Sequence, residues 1–148
     1  MRVGLVLLLA ASGLGVADRP EKKKKADPVK QEVKKLEGTW VLVGMELNGR
    51  QYPQVRLQRL NYRLIIKGNK ATRQIRGRSY EQTFTVNPKK NPKAIDTVQS
   101  GRTTKGIYQL DGDTLKICES LRGTVRPTTF TSGLRSRTRI WTWRREKR

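Results

Sequence analysis

The sequence predicts an all-β domain, a small closed antiparallel barrel of about eight strands behind one short helix. Three observations carry this. Short runs with period-two alternation recur at close spacing from Thr39 to Arg144. Turn residues punctuate them, as in Asn48-Gly49, Gly68-Asn69 and Asp111-Gly112-Asp113. No second long helical pattern separates the runs, so parallel strand–helix–strand units are not expected. Closing such a set of strands into a barrel removes exposed sheet edges.

The chain has 148 residues, which suggests one domain. Arg2, the apolar run Val3 to Leu14 and the small residues Gly15-Val16-Ala17 form a signal-peptide pattern. Residues 1–17 are therefore expected to direct export to the periplasm, cell envelope or exterior. The run is shorter than the roughly 20 residues of a spanning helix. No cysteine stands directly after it, and no later segment is apolar enough to span a membrane. Residues 18–28 read as a basic linker without apolar periodicity. The barrel domain is assigned to 29–148.

Pro28 fits the first turn of a helix, and Val29, Val33 and Leu36 form a narrow apolar stripe over Val29–Leu36. Thr39–Leu47 is the first strand, closed by the hairpin signal Asn48-Gly49. Tyr52 to Gln58 reads as an irregular connection. The next strands are Leu60–Lys67, Lys70–Arg76 and Tyr80–Val86, followed by the loop Asn87–Pro92. Lys93–Val98, Thr104–Leu110, Thr114–Glu119, Thr124–Thr131 and Arg137–Arg144 complete the set. Pro127 marks Thr124–Thr131 as an edge, bulge or strand start.

Composition removes several chemistries. With no histidine, Ser-His-Asp and Cys-His catalysis are excluded, and the commonest transition-metal ligand is missing. The single cysteine, Cys118, lies in an alternating apolar run and reads as a small core residue. It allows no internal disulfide, so a packed core must stabilise the fold. Asp111-Gly112-Asp113 is too short for a calcium loop and reads as a turn. No carboxylate spacing suggests acid–base work. The expectation is a non-enzymatic protein with no cofactor and no metal site.

The net charge is +21, and residues 38–148 carry 24 Lys/Arg against seven Asp/Glu, a net of +17. The positive charge belongs to the folded part and favours anionic partners. Arg63, Lys67, Lys70, Arg73, Arg76 and Arg78 span two strands and their turn. They are either a basic patch or a solvated sheet face. Lys22–Lys25 is a simple charge run.

Two candidate sites follow from strand alternation. If the barrel is open inside, Val41, Val43, Tyr62, Leu64, Phe84 and Tyr108 are the lining candidates for a small ligand. In the last strand Arg137, Arg139, Trp141, Trp143 and Arg145 share one face. Facing outward, they make a basic stripe on which bases or anionic sugars stack. Facing inward, the tryptophans are core. The inward orientation is favoured, because a chain with few aromatics needs its large residues inside.

Five ordered stretches carry a family resemblance: Leu36–Val43, Leu47–Arg50, Asn91–Asp96, Gly106–Cys118 and Arg126–Ser132. Together they cover Leu36 to about Glu146. The chain resembles the uncharacterised exported domain family common in planctomycete bacteria, whose Gly38-Thr39-Trp40 start is similar to that of lipocalin-like barrels. The resemblance implies a lipocalin-like barrel and brings no established activity. It also implies a structural set: Gly38, and Trp40 packed at the closed end against Arg144 or Arg145. Two tryptophans in the last strand and the abundance of arginine depart from the family. The combined expectation is an exported, non-enzymatic lipocalin-like binding domain for an unknown ligand, acting as a monomer. The alternative is a surface binder of polyanions, whether nucleic acid, anionic polysaccharide or membrane surface, through the Trp/Arg strand.

Overall fold

The computed structural model describes residues 12–17, 20 and 24–147. The signal-peptide reading of 1–17 and the linker reading of 18–28 fall largely on residues outside that set. Among the described residues, eleven elements follow in chain order. They are α1 (Pro28–Leu36), β1 (Gly38–Leu47), β2 (Arg50–Gln51), α2 (Gln54–Leu60), β3 (Arg63–Lys67), β4 (Lys70–Ile75), β5 (Arg78–Asn87), β6 (Lys93–Gln99), β7 (Arg102–Asp111), β8 (Thr114–Ser120) and β9 (Thr138–Arg145).

β1 and β3–β9 form an antiparallel meander in which each strand pairs with the next, and β1 also pairs with β9. That last pairing closes an eight-stranded barrel, as the alternation and turn spacing predict. β2 is a short hairpin partner of β1 through Asn48-Gly49, both with positive φ (53° and 73°). Asp111-Gly112-Asp113 is likewise the β7–β8 hairpin.

α1 starts where the sequence places it. Asp27 caps it by accepting from the Val29 N–H at 2.9 Å, and Pro28 occupies the first turn. Val33 and Leu36 of the apolar stripe pack on the barrel core. Val29 stays exposed, and Glu32 is buried instead.

Three expected elements differ. The segment after Tyr52 is not irregular, because Gln54–Leu60 forms helix α2 and ends at left-handed Asn61 (φ 43°). Two turns are too short to show a helical period, but burial of Leu57 against the core holds the helix there. β3 consequently begins at Arg63 rather than Leu60. Thr124–Thr131 is not a strand. It belongs to a connection between Ser120 and Thr138 that crosses the outside of β7, β8 and β9.

The main core fills the barrel with Trp40, Leu42, Tyr62, Leu64, Ile66, Phe84, Tyr108, Leu115, Ile117, Trp141 and Trp143, among others. A second cluster, Ile107, Cys118 and Ile140, faces outward beneath Phe130 of the long β8–β9 connection. These strands are buried on both faces there, so apolar residues of both parities are needed.

Candidate functional site

The meander sorts every connection to one of two ends of the barrel. α1 and the turns β3–β4, β5–β6 and β7–β8 lie at one end. The connections β1–β3, β4–β5, β6–β7 and β8–β9 lie at the other.

At the first end, Arg145 lies over Trp40, its guanidinium carbon 4.1 Å from the ring centroid. It donates to the carbonyls of Glu37 (2.5 Å) and Lys35 (2.8 Å), which the end of α1 leaves free. Trp40 Nε1 donates to Leu36 O at 2.9 Å, so the ring is fully buried and fully bonded. Gly38, at φ 129°, leaves room for Arg145, whose Nη1 would stand 2.9 Å from an added Cβ. The arginine at Trp40 is therefore Arg145. Arg144, the other candidate, is exposed on the opposite parity. Gly38 and Trp40 thus both lie against Arg145 at this end.

Inside the barrel the remaining space is about 20 Å³, room for about one water molecule. Its lining includes Leu64, Phe84, Ile117, Trp141 and Trp143. Four of the six lining candidates, Tyr62, Leu64, Phe84 and Tyr108, do share this core. Tyr108 is committed: its hydroxyl donates to Glu32 Oε1 at 3.1 Å. Burial and then the Glu32 carboxylate push the Tyr108 phenol far up. Tyr62 stands edge-on to both Trp141 and Trp143, at 5.6 and 5.0 Å between centroids. Val41 and Val43 belong elsewhere. Trp40 and Leu42 carry the inward parity of β1, and a bulge between Leu42 and Gly44 lets Met45 resume it opposite Trp141. Val41 and Val43 are left half-buried, outside the core cluster.

The last strand does not form an outward stripe. Trp141 and Trp143 are buried, and the arginines of the same parity part company. Arg145 closes the α1 end. Arg137 is exposed in the β8–β9 connection at φ 50°. Arg139 reaches Glu119 Oε1 at 2.6 Å and lies 4.3 Å over Trp141. Trp141 Nε1 donates to the same Glu119 oxygen at 2.7 Å, and Arg73 stands 3.6 Å from the other. Arg73 is thus drawn inward and leaves the basic patch suggested for Arg63–Arg78. Burial opposes ionisation of Glu119. Arg73, Arg139 and the Trp141 N–H outweigh it and hold the carboxyl below the usual carboxylate range.

The distinctive surface is the second end. Residues 48–62, 76–78, 100–102 and 121–137 contain ten arginines (Arg50, Arg56, Arg59, Arg76, Arg78, Arg102, Arg122, Arg126, Arg135 and Arg137), with no lysine, aspartate or glutamate. All except Arg126 are exposed, and none of those nine forms an ion pair among the described residues. The turns of the opposite end carry Lys67, Lys70, Lys89, Lys90 and Lys93, and the arginines there are Arg144 and Arg145 at the end of β9. Sequence reasoning saw the charge but not this sorting. The signal was present as arginine-only, acid-free connections in alternate hairpins, and becomes visible once connections are assigned to barrel ends.

Arg126 has a different task. It anchors the long connection, reaching Asp96 Oδ1 (2.6 Å), Gly106 O (2.7 Å) and Ile95 O (3.3 Å). Ser132 fixes the far side by donating to Glu46 Oε1 at 2.6 Å, while its carbonyl accepts from the Gly49 N–H at 2.5 Å. Cys118 Sγ lies 3.6 Å from Thr129 O under this cover, and burial pushes its thiol up. Gly106 is required by packing, since a Cβ there would stand 2.8 Å from Cys118 O. The connection is thus held at two places, to β1 and its hairpin through Ser132 and to β6 and β7 through Arg126.

Among the described residues, no group of three or more Cys, Asp or Glu stands close enough together to hold a metal ion. No helix there is long and apolar enough to cross a membrane. The chain matches no protein-family model, no curated protein and no solved structure.

Proposed function

We propose that the protein is an exported, non-enzymatic, lipocalin-like binding domain whose ligands are polyanions met at the arginine-bearing end. Nine exposed arginines in the connections of that end, none ion-paired among the described residues and with no carboxylate in those segments, carry the reading. Arginine presents a planar fork that grips phosphate, sulfate or carboxylate through two hydrogen bonds, whereas lysine acts as a point charge. The residue 2–17 pattern supports export, and the five ordered stretches support membership of the uncharacterised planctomycete domain family. A small ligand held inside the barrel is disfavoured, because about 20 Å³ of space is far below the roughly 300 Å³ of a small-molecule pocket.

Heparin titration over a salt series tests the proposal. Affinity is expected to fall steeply with salt. Arg50→Gln/Arg56→Gln/Arg59→Gln should weaken binding strongly, and Lys67→Gln/Lys70→Gln/Lys89→Gln, with the same charge removed from the other end, only slightly. Equal losses from the two sets would refute a dedicated end.

A further inference from the structure

The arginine-bearing end also carries the exposed apolar side chains of the barrel. Tyr52, Val55, Tyr80, Val98, Leu121, Val125 and Leu134 are each more than a third exposed, and all lie in its connections or the adjoining strand ends. Elsewhere among the described residues, large exposed apolar side chains are confined to Leu14 and Val16 of the N-terminal segment and Val29 of α1. Single exposed apolar residues are ordinary on a protein surface. Their confinement to one end, beside the unpaired arginines, is not.

Two of these groups are the most prominent. Leu134 is 81% exposed and lines the same surface concavity as Tyr52, Pro53, Arg50 and Arg56. Val125 is 74% exposed and lies in a second concavity with Arg122, Arg126 and Arg137. Val55 adds a third point on α2, whose buried side is Leu57. We infer that this end docks on the surface of an anionic phospholipid bilayer, with Val55, Val125 and Leu134 entering the interface and the arginines gripping lipid phosphates. This rests on the polyanion reading and names its partner. The apolar groups are separate points, Leu134 beside Arg50 and Arg56 and Val125 beside Arg122 and Arg137. A protein socket needs one continuous, shaped patch, whereas a bilayer accepts separate points and supplies phosphate around each. Arginine is suited to that boundary because its stem lies along apolar surface while its head bonds phosphate.

The full chain serves for the test, so that residues 3–14 contribute equally to every variant. Sedimentation with vesicles of phosphatidylglycerol and phosphatidylcholine, against phosphatidylcholine alone, should show a preference for the anionic mixture. Val55→Ser/Val125→Ser/Leu134→Ser should lower partition onto anionic vesicles about tenfold or more. Its heparin affinity and melting temperature should be unchanged. Leu134→Trp should be quenched by bromine-labelled lipid chains, while the three native tryptophans, buried in the barrel, should not. Parental partition of the triple serine variant, with an unquenched Leu134→Trp, would overturn membrane docking. The polyanion reading would then stand if heparin still depends on Arg50, Arg56 and Arg59, and fall with it if heparin does not.

Discussion

Arg145 stacks 4.1 Å over Trp40 and donates to the carbonyls of Lys35 and Glu37. One side chain thereby joins the end of α1, the start of β1 and the end of β9. Its Nε also lies 3.3 Å from Asp113 of the β7–β8 turn. Arg145→Ala removes the cation–π contact and leaves two helix-end carbonyls without their donors. The expected loss is about 2–3 kcal/mol in urea denaturation. Arg145→Lys should recover only a minor part, because an ammonium cannot span both carbonyls and the ring face. Full recovery by lysine would show that charge alone suffices.

Glu119 ties the last strand to β4 across the barrel. Glu119→Ala leaves Arg73 and Arg139 crowded around Trp141 without a counter-charge. It should cost about 3–5 kcal/mol, as removal of one partner of a buried pair does. A cost near zero by thermal and urea unfolding would mean that the guanidinium groups turn outward freely.

The same carboxylate sets a pH dependence. Glu119, Glu32 and Asp96 all titrate below their usual values in the folded protein. Burial alone would raise each, but neighbouring Lys and Arg groups outweigh it. The unfolded chain therefore binds more protons at mildly acid pH. Stability is fully present above the ordinary values, 4.5 for Glu and 3.8 for Asp, and is lost as pH falls through the folded values. Melting temperature against pH should drop on the acid side. Glu119→Gln should flatten that limb while lowering the plateau.

Trp141 belongs to the core, and its substitution should behave accordingly. Trp141→Ala should destabilise by about 3–5 kcal/mol. At temperatures where the variant remains folded, heparin affinity should match the parent. A variant with parental stability and lost heparin binding would return Trp141 to the surface role suggested by its alternation with arginines.

Cys118 should report on the long β8–β9 connection. It is fully buried beneath residues 129–131, and its thiol titrates above the ordinary range because of burial. An aromatic disulfide reagent should label the native protein very slowly. Arg126→Ala, which frees the loop from Asp96 and Gly106, should accelerate labelling by at least about tenfold without global unfolding. Unchanged labelling would indicate that Phe130 and Ser132 hold the cover by themselves.

Much of the fold was legible in the residues. Alternation in Tyr80–Val86 and the hairpins at Asn48-Gly49 and Asp111-Gly112 depend on side-chain periods and turn conformations set within a few residues. The chain therefore determined, by itself, the strands, the starting helix and the turns that reverse them. It also determined that these residues supply no histidine and no internal disulfide. Tertiary structure decided the rest. A period of two defines two faces but not which one meets the core, and the bulge at Leu42–Gly44 resets that parity within β1. This is why Val41 and Val43 fell on the wrong side, while Tyr62 and Phe84 fell on the right one. Thr124–Thr131 has strand-like residues, yet lies as a cover because Arg126 and Ser132 find partners on the barrel rather than a neighbouring strand. Trp141 and Trp143 turned inward because the barrel needs their volume. The arginine-bearing end exists only once the meander closes, since closure gathers four connections, scattered between residues 48 and 137, at one rim. Local physics is written in neighbouring residues; a surface assembled from distant loops is set by the long-range pairing of β1 with β9.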